Sequence, residues 1–174
     1  MMAYPEHANS EIPMTLRIIA TGGTFDKHYD EFTGTLAFDG SKLAAIIRRA
    51  RITVPTVLEQ LPLLDSLDMG DADRQRIKTA CAQAPEAHIV IVHGTDTMHD
   101  TAETLAQAVL DKTIVLTGAM IPYEVADSDA MFNFGMAFGV AQTLPHGVYI
   151  TMNGQVFDWD KVRKNRKAGV FERY

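Results

Sequence analysis

Two short segments of this chain set threonine hydroxyls beside glycine directly after an apolar run. The first is Thr21-Gly22-Gly23-Thr24, which follows Leu16-Arg17-Ile18-Ile19-Ala20. The second is His93-Gly94-Thr95-Asp96-Thr97, which follows His88-Ile89-Val90-Ile91-Val92. Glycine lets the backbone turn sharply and lets a ligand approach the main chain. Amides in such a turn can hold an anion or polarise a carbonyl. A threonine hydroxyl there becomes a nucleophile once a base takes its proton. The first turn also suits a phosphate cradle or a plain strand-to-helix connection, although the dinucleotide G-x-G-x-x-G spacing and the P-loop lysine are both absent. The second segment adds a carboxylate, Asp96, which can pair with a substrate ammonium or orient a lysine. Helix capping competes for it: Asp96, Thr97 or Asp100 can serve as N-cap, with Glu103 three residues beyond Asp100.

His93 and His99 have the side chain of a general acid or base, but both read as structural, His93 satisfying a backbone group at its strand end. No His/Cys/Asp/Glu spacing suggests a metal site. The single cysteine, Cys81, lies inside a helical pattern and reads as a small apolar filler. With no second cysteine it can form no internal disulfide, which favours a reducing, cytoplasmic compartment.

The elements that must position these turns alternate between strand and helix. Strands are predicted at Leu16–Ala20, Ile52–Glu59, His88–Val92, Thr113–Leu116 and Gly147–Thr151, from short apolar or β-branched runs. Pro55 marks the second of them as an edge strand or an irregular start. Helices are predicted over Lys42–Ala50 with Ser41 as a cap, Asp71–Ala84, Thr101–Leu110 and Asp129–Gln142. The last carries small residues (Gly135, Ala137, Gly139, Ala141) that would allow close packing on the sheet. This order implies an α/β fold: a three-layer, doubly wound, mainly parallel sheet with helices on both faces, in a single domain over 15–174. Ligands bind such sheets at the C-terminal strand ends, where both threonine turns lie. Residues 1–14 read as a loose tail without an apolar signal core. The polar stretch Phe25–Thr35, with Gly34, reads as a lid over the site.

Bulk properties exclude several partners. With 174 residues, 47 % hydrophobic and 22 % charged, the chain is an ordinary globular domain. A formal net charge of -6 argues against nucleic acid, whose binding rests on cationic neutralisation of phosphates. No apolar run is long enough to span a bilayer. The one basic cluster, Lys161 to Lys167, reads as a solvated face.

Together, Ala20-Thr21-Gly22-Gly23-Thr24 and His93-Gly94-Thr95-Asp96-Thr97-Met98 resemble the two signatures of the bacterial-type L-asparaginase family. Asp65-Ser66-Leu67-Asp68-Met69, Thr117-Gly118-Ala119-Met120-Ile121-Pro122, Ser128-Asp129-Ala130-Met131-Phe132-Asn133 and Met152-Asn153 match it in order along nearly the whole chain. The resemblance implies hydrolysis of L-asparagine to aspartate and ammonia through a threonine acyl-enzyme, with no cofactor. It puts the nucleophile at Thr24, assisted by Tyr29, and a second triad at Thr95, Asp96 and a lysine. Ungapped counting from Met152-Asn153 makes that lysine Lys164 rather than Lys161. The implied substrate-binding set is Gly23, Ser66, Leu67, Gly94, Thr95, Asp96 and Ala119: Ser66 for the substrate carboxylate, Asp96 for its α-ammonium and the Ala119 carbonyl for the side-chain amide. Which threonine attacks first does not follow from the sequence.

Two features depart from the family pattern. Leu67 stands where many members have a polar residue that contacts substrate, which would alter the preference between asparagine and glutamine. The family's smaller C-terminal domain is missing, so the chain resembles the short-chain bacterial asparaginases, or a fragment. The surface that domain would cover suggests a homodimer or homotetramer. Two other readings share the fold: a non-catalytic amino-acid-binding domain, and a glutaminase or tRNA amidotransferase-type amidase.

Overall fold

The computed structural model describes residues 14–174; apart from Met14, the expected N-terminal tail lies outside them. Six strands form the central sheet in the order β4-β1-β5-β6-β7-β8. These are β1 (Leu16–Gly22), β4 (Thr56–Leu64), β5 (His88–Val92), β6 (Thr113–Thr117), β7 (Gly147–Met152) and β8 (Gln155–Asp158). All neighbouring pairs are parallel except β7 with β8. Helices α1 (Leu43–Arg49), α2 (Asp71–Gln83), α3 (Met98–Ala106) and α4 (Ala130–Ala141) complete a three-layer α/β domain, as the alternating pattern predicts.

The strands read as continuous apolar runs because both faces are covered. Ile19, Ile91, Leu116 and Ile150 point into one core with Ile77 and Cys81 of α2 and Ala102 and Leu105 of α3. Ile18, Val90, Val92 and Val115 point into the other, with Leu43 and Ile46 of α1 and Phe134, Ala137 and Ala141 of α4. After β1 the chain moves to the edge strand β4, and after β5 it moves the opposite way to β6 and β7. The strand order therefore reverses between β1 and β5. Open α/β sheets bind ligands at such a reversal; the second threonine turn follows β5 directly, and the first begins within β1, whose last two residues are Thr21 and Gly22.

Four expectations need correction. The second strand begins at Thr56, after Pro55, and runs to Leu64; as the sheet's edge it tolerates Pro62 within it. The third helix begins at Met98, not Thr101. Gly135 and Gly139 of α4 face solvent, and nothing lies within 4 Å of where their Cβ atoms would be. At 100° per residue the sheet-facing positions are Ala130, Phe134, Ala137 and Ala141, so 135 and 139 fall on the opposite side. The polar stretch after Thr24 is not a plain loop. It is a 3-10 turn (Thr24–Asp26) followed by a hairpin of β2 (His28–Asp30) and β3 (Thr35–Ala37). A second short hairpin, β9 (Arg163–Asn165) with β10 (Val170–Glu172), closes the chain.

Candidate active site

Backbone contact joins the two threonine turns. A Cβ on Gly23 would lie 2.3 Å from Gly94 Cα and 2.4 Å from Gly94 N, so only hydrogen fits there. Gly23 also has φ 74° and ψ -175°, a combination essentially restricted to glycine. A Cβ on Gly94 would lie 2.6 Å from Ser66 Oγ, and one on Gly118 would lie 3.2 Å from Thr95 Cγ2. The ends of β4, β1, β5 and β6 thus converge, with Gly23 against Gly94, Gly94 against Ser66 and Gly118 against Thr95. Strand-end hydrogen bonds fix the assembly: Gly23 N–H to Leu64 O (2.8 Å), Thr21 O–H to Val92 O (2.9 Å) and His93 N–H to Thr117 O (2.8 Å).

Thr24 is half-buried at the first residue of the 3-10 turn. The turn is anchored by Asp26, which is fully buried. Asp26 Oδ1 accepts from Ser41 O–H (3.0 Å) and from Lys42 N–H at the start of α1 (2.9 Å), while Oδ2 has no partner among the described residues. Burial pushes this carboxyl above its ordinary pKa. Lys27 then ties the turn to the loop after β4 through Asp65 Oδ2 at 2.5 Å, and its ammonium holds Asp65 below the usual carboxylate range. In the sequence, Asp26 and Lys27 read as ordinary loop polar residues, and nothing in their spacing marks these anchoring roles.

Around the second turn, Lys164 Nζ donates to Thr95 Oγ1 at 2.7 Å and to Asp96 Oδ1 at 3.0 Å. Lys164 sits on β9, which brings it across 69 residues to Thr95. Lys161, the other candidate, is 65 % exposed and pairs with Asp158 instead. Thr95 is 5 % exposed. Thr97 is the N-cap position of α3, but its hydroxyl goes to Ser66 O (2.7 Å) rather than to the helix. Asp96 is thereby left free of capping and keeps a partly exposed carboxylate, which Arg166 also reaches at 3.3 Å. The Asp96 N–H donates to Ser66 Oγ at 3.2 Å. Among the described residues the backbone N–H groups of Thr24 and Thr95 have no protein acceptor.

The remaining expected residues are placed unevenly. Ser66 is 1 % exposed and Ala119 is fully buried, whereas Leu67 is 63 % exposed. The loop holding Ala119 is pinned by α4: Asp129 accepts from Met120 and Ile121 N–H, and Asn133 Nδ2 donates to Gly118 O. Tyr29 makes no hydrogen bond to Thr24 among the described residues. It is the outward residue of β2, opposite Leu36, is 63 % exposed, and its hydroxyl has no partner among the described residues. No group of His, Cys, Asp and Glu that could hold a metal occurs among the described residues.

The buried His93 is a wedge under the second turn. Nδ1 lies 2.7 Å from Gly94 O, and Nε2 lies 2.9 Å from Thr101 Oγ1. Burial, with no facing anion strong enough to offset it, lowers its pKa to about 4. A neutral ring with the proton on Nδ1 donates to Gly94 O and accepts from Thr101 O–H. Above pH 6.5 neither state takes up the proton; as pH falls toward 4 only the unfolded chain does. Stability is therefore full above pH 6.5 and declines by about 3 kcal/mol as pH drops to about 4. Urea melts of the wild type and His93→Gln across that range should show this part of the slope vanish in the variant. Equal slopes would rule out the wedge. Cys81 is inert by the same physics: burial raises its thiol to about 12.

Comparison with known proteins adds an independent line. The family model for the asparaginase N-terminal domain matches residues 15–171. L-asparaginase 1 of Escherichia coli strain K12 is 31 % identical over 169 residues, which are 89 % of this chain and 48 % of that protein. A glutamyl-tRNA(Gln) amidotransferase subunit from Aeropyrum pernix is 33 % identical over 150 residues, covering 81 % of this chain and 35 % of that protein. The thermostable L-asparaginase from Thermococcus kodakarensis superposes with a TM-score of 0.82 at 27 % identity, over 92 % of this chain and 51 % of that one. The chain thus spans about half the length, or less, of the relatives it matches.

Proposed function

Because this chain belongs to the asparaginase family, through that family's N-terminal domain, we propose that it is an amidohydrolase releasing ammonia from L-asparagine. The observation that carries this reading is the Lys164–Thr95–Asp96 cluster at the strand-order reversal, one glycine contact away from Thr24. Thr24 Oγ1 attacks the side-chain amide carbon. The C–N bond breaks, ammonia leaves, and a β-aspartyl ester remains until water hydrolyses it. The unpaired Thr24 and Thr95 N–H groups are suited to the oxyanion. Lys164 donates to Thr95 Oγ1, so Thr95 can pass its own O–H proton to the leaving nitrogen and take up the Thr24 proton in its place; in hydrolysis the proton of the attacking water returns to Thr24 by the same relay. Ser66, Leu67 and Ala119 line this site, and Asp96 faces the α-ammonium. Tyr29 assists Thr24 only when the β2–β3 hairpin folds over the turn. A homo-oligomer and a cytoplasmic location belong to the same reading, the buried unpaired Cys81 fitting a reducing compartment.

A coupled ammonia assay with L-asparagine, L-glutamine and their D-forms tests it. Thr24→Ala and Thr95→Val should each lower turnover of L-asparagine by about 10³-fold or more. Full activity in both variants would show that the site is wrongly assigned. The likeness to the amidotransferase protein supports a second reading, ammonia supply to a larger partner. Turnover of free L-asparagine by the isolated chain separates the two.

A further inference from the structure

Asp96 is the carboxylate that would receive a substrate ammonium, yet it is already compensated twice. Lys164 Nζ lies 3.0 Å and Arg166 Nε 3.3 Å from the same oxygen, Oδ1. The neighbouring carboxylate, Asp65, is taken by Lys27. Arg166 thus adds a second cation to the one carboxylate oxygen that would face an ammonium. Arg166, Asp96 and Lys164 also line one open cavity of about 410 Å³. We propose that Arg166 is a specificity-determining residue of this site, widening it from α-amino amides to monoamides of dicarboxylic acids whose α-position carries no ammonium.

This inference rests on the amidohydrolase reading for its chemistry but not for its test. Removing an exposed guanidinium from Asp96 restores part of that carboxylate's pull on an ammonium and leaves an uncharged α-position indifferent. In Arg166→Gln, kcat/KM for L-asparagine relative to succinamate should therefore rise about fivefold, through the KM of asparagine, and the gain should fade in high salt. Arg163→Gln is the control, because Arg163 lines the same cavity but pairs with Glu172. Its selectivity should stay at the wild-type value. Calorimetric affinities for L-aspartate and succinate give the same ratio without turnover. A selectivity ratio that moves less than twofold in Arg166→Gln, or moves equally in Arg163→Gln, overturns the proposal. If neither amide yields ammonia, the amidohydrolase reading fails by itself. The aspartate-to-succinate affinity ratio still decides the role of Arg166, and absence of binding by either acid overturns it.

Discussion

Replacing Lys164 with methionine is expected to lower kcat/KM for L-asparagine about 10³-fold, while Lys161→Met leaves it within twofold of wild type. Among the described residues, Lys164 is the one cation that touches both Thr95 and Asp96, at 2.7 and 3.0 Å, and its side chain is only 12 % exposed. Methionine keeps the stem's volume and removes the donor. Thr95 then loses the contact that orients its proton, and Asp96 keeps only the exposed Arg166. The loss should appear in kcat more than in KM, because the proton is passed only in the transition state. Lys161 pairs with Asp158 at the surface and has no path to the threonines. Equal losses in the two variants would mean that the basic segment acts through its overall charge.

Gly23→Ala is expected to have the largest effect on folding, a loss of about 3–5 kcal/mol. The new methyl would have to sit 2.3 Å from Gly94 Cα, at a backbone conformation that disfavours any Cβ. For a chain of this length that corresponds to a drop of roughly 10 °C or more in Tm. Gly34→Ala provides the contrast. Gly34 also has positive φ, at 69°, but nothing lies within 4 Å of its Cβ position. It should cost about 1 kcal/mol, the conformational part alone. Urea midpoints that fall equally in both variants would show that the contact between the turns contributes nothing.

The buried strands were legible because a strand covered on both faces is an unbroken apolar run; their ends were less so, since β1 continues past that run through Thr21 and Gly22 and β6 through Thr117. The two cores and the three-layer order follow from that alternation. The edge strand was harder to place: Pro55 and Pro62 bracket most of it, and its Leu58, Leu61 and Pro62 alternate only loosely. The hairpins were not legible because β2, β3, β9 and β10 are only three residues each. No periodicity of two can be read over so short a span. Lys164 was reachable only through the resemblance, since nothing local in a basic segment says which lysine turns inward. The anchoring roles of Asp26 and Asp129 depend on tertiary contacts to Lys42 and Met120, 16 and 9 residues away. The outward turn of Gly135 and Gly139, by contrast, was available from helical spacing once the large residues Phe134 and Phe138 fixed the buried face.

The most direct test is to quench the wild-type chain with acid during turnover of L-asparagine and map the product by peptide mass spectrometry. The expected result is a β-aspartyl ester on the peptide that carries Thr24, absent from Thr24→Ala. Steady ammonia release with the ester on Thr95 instead, or with no ester on either threonine, would contradict it.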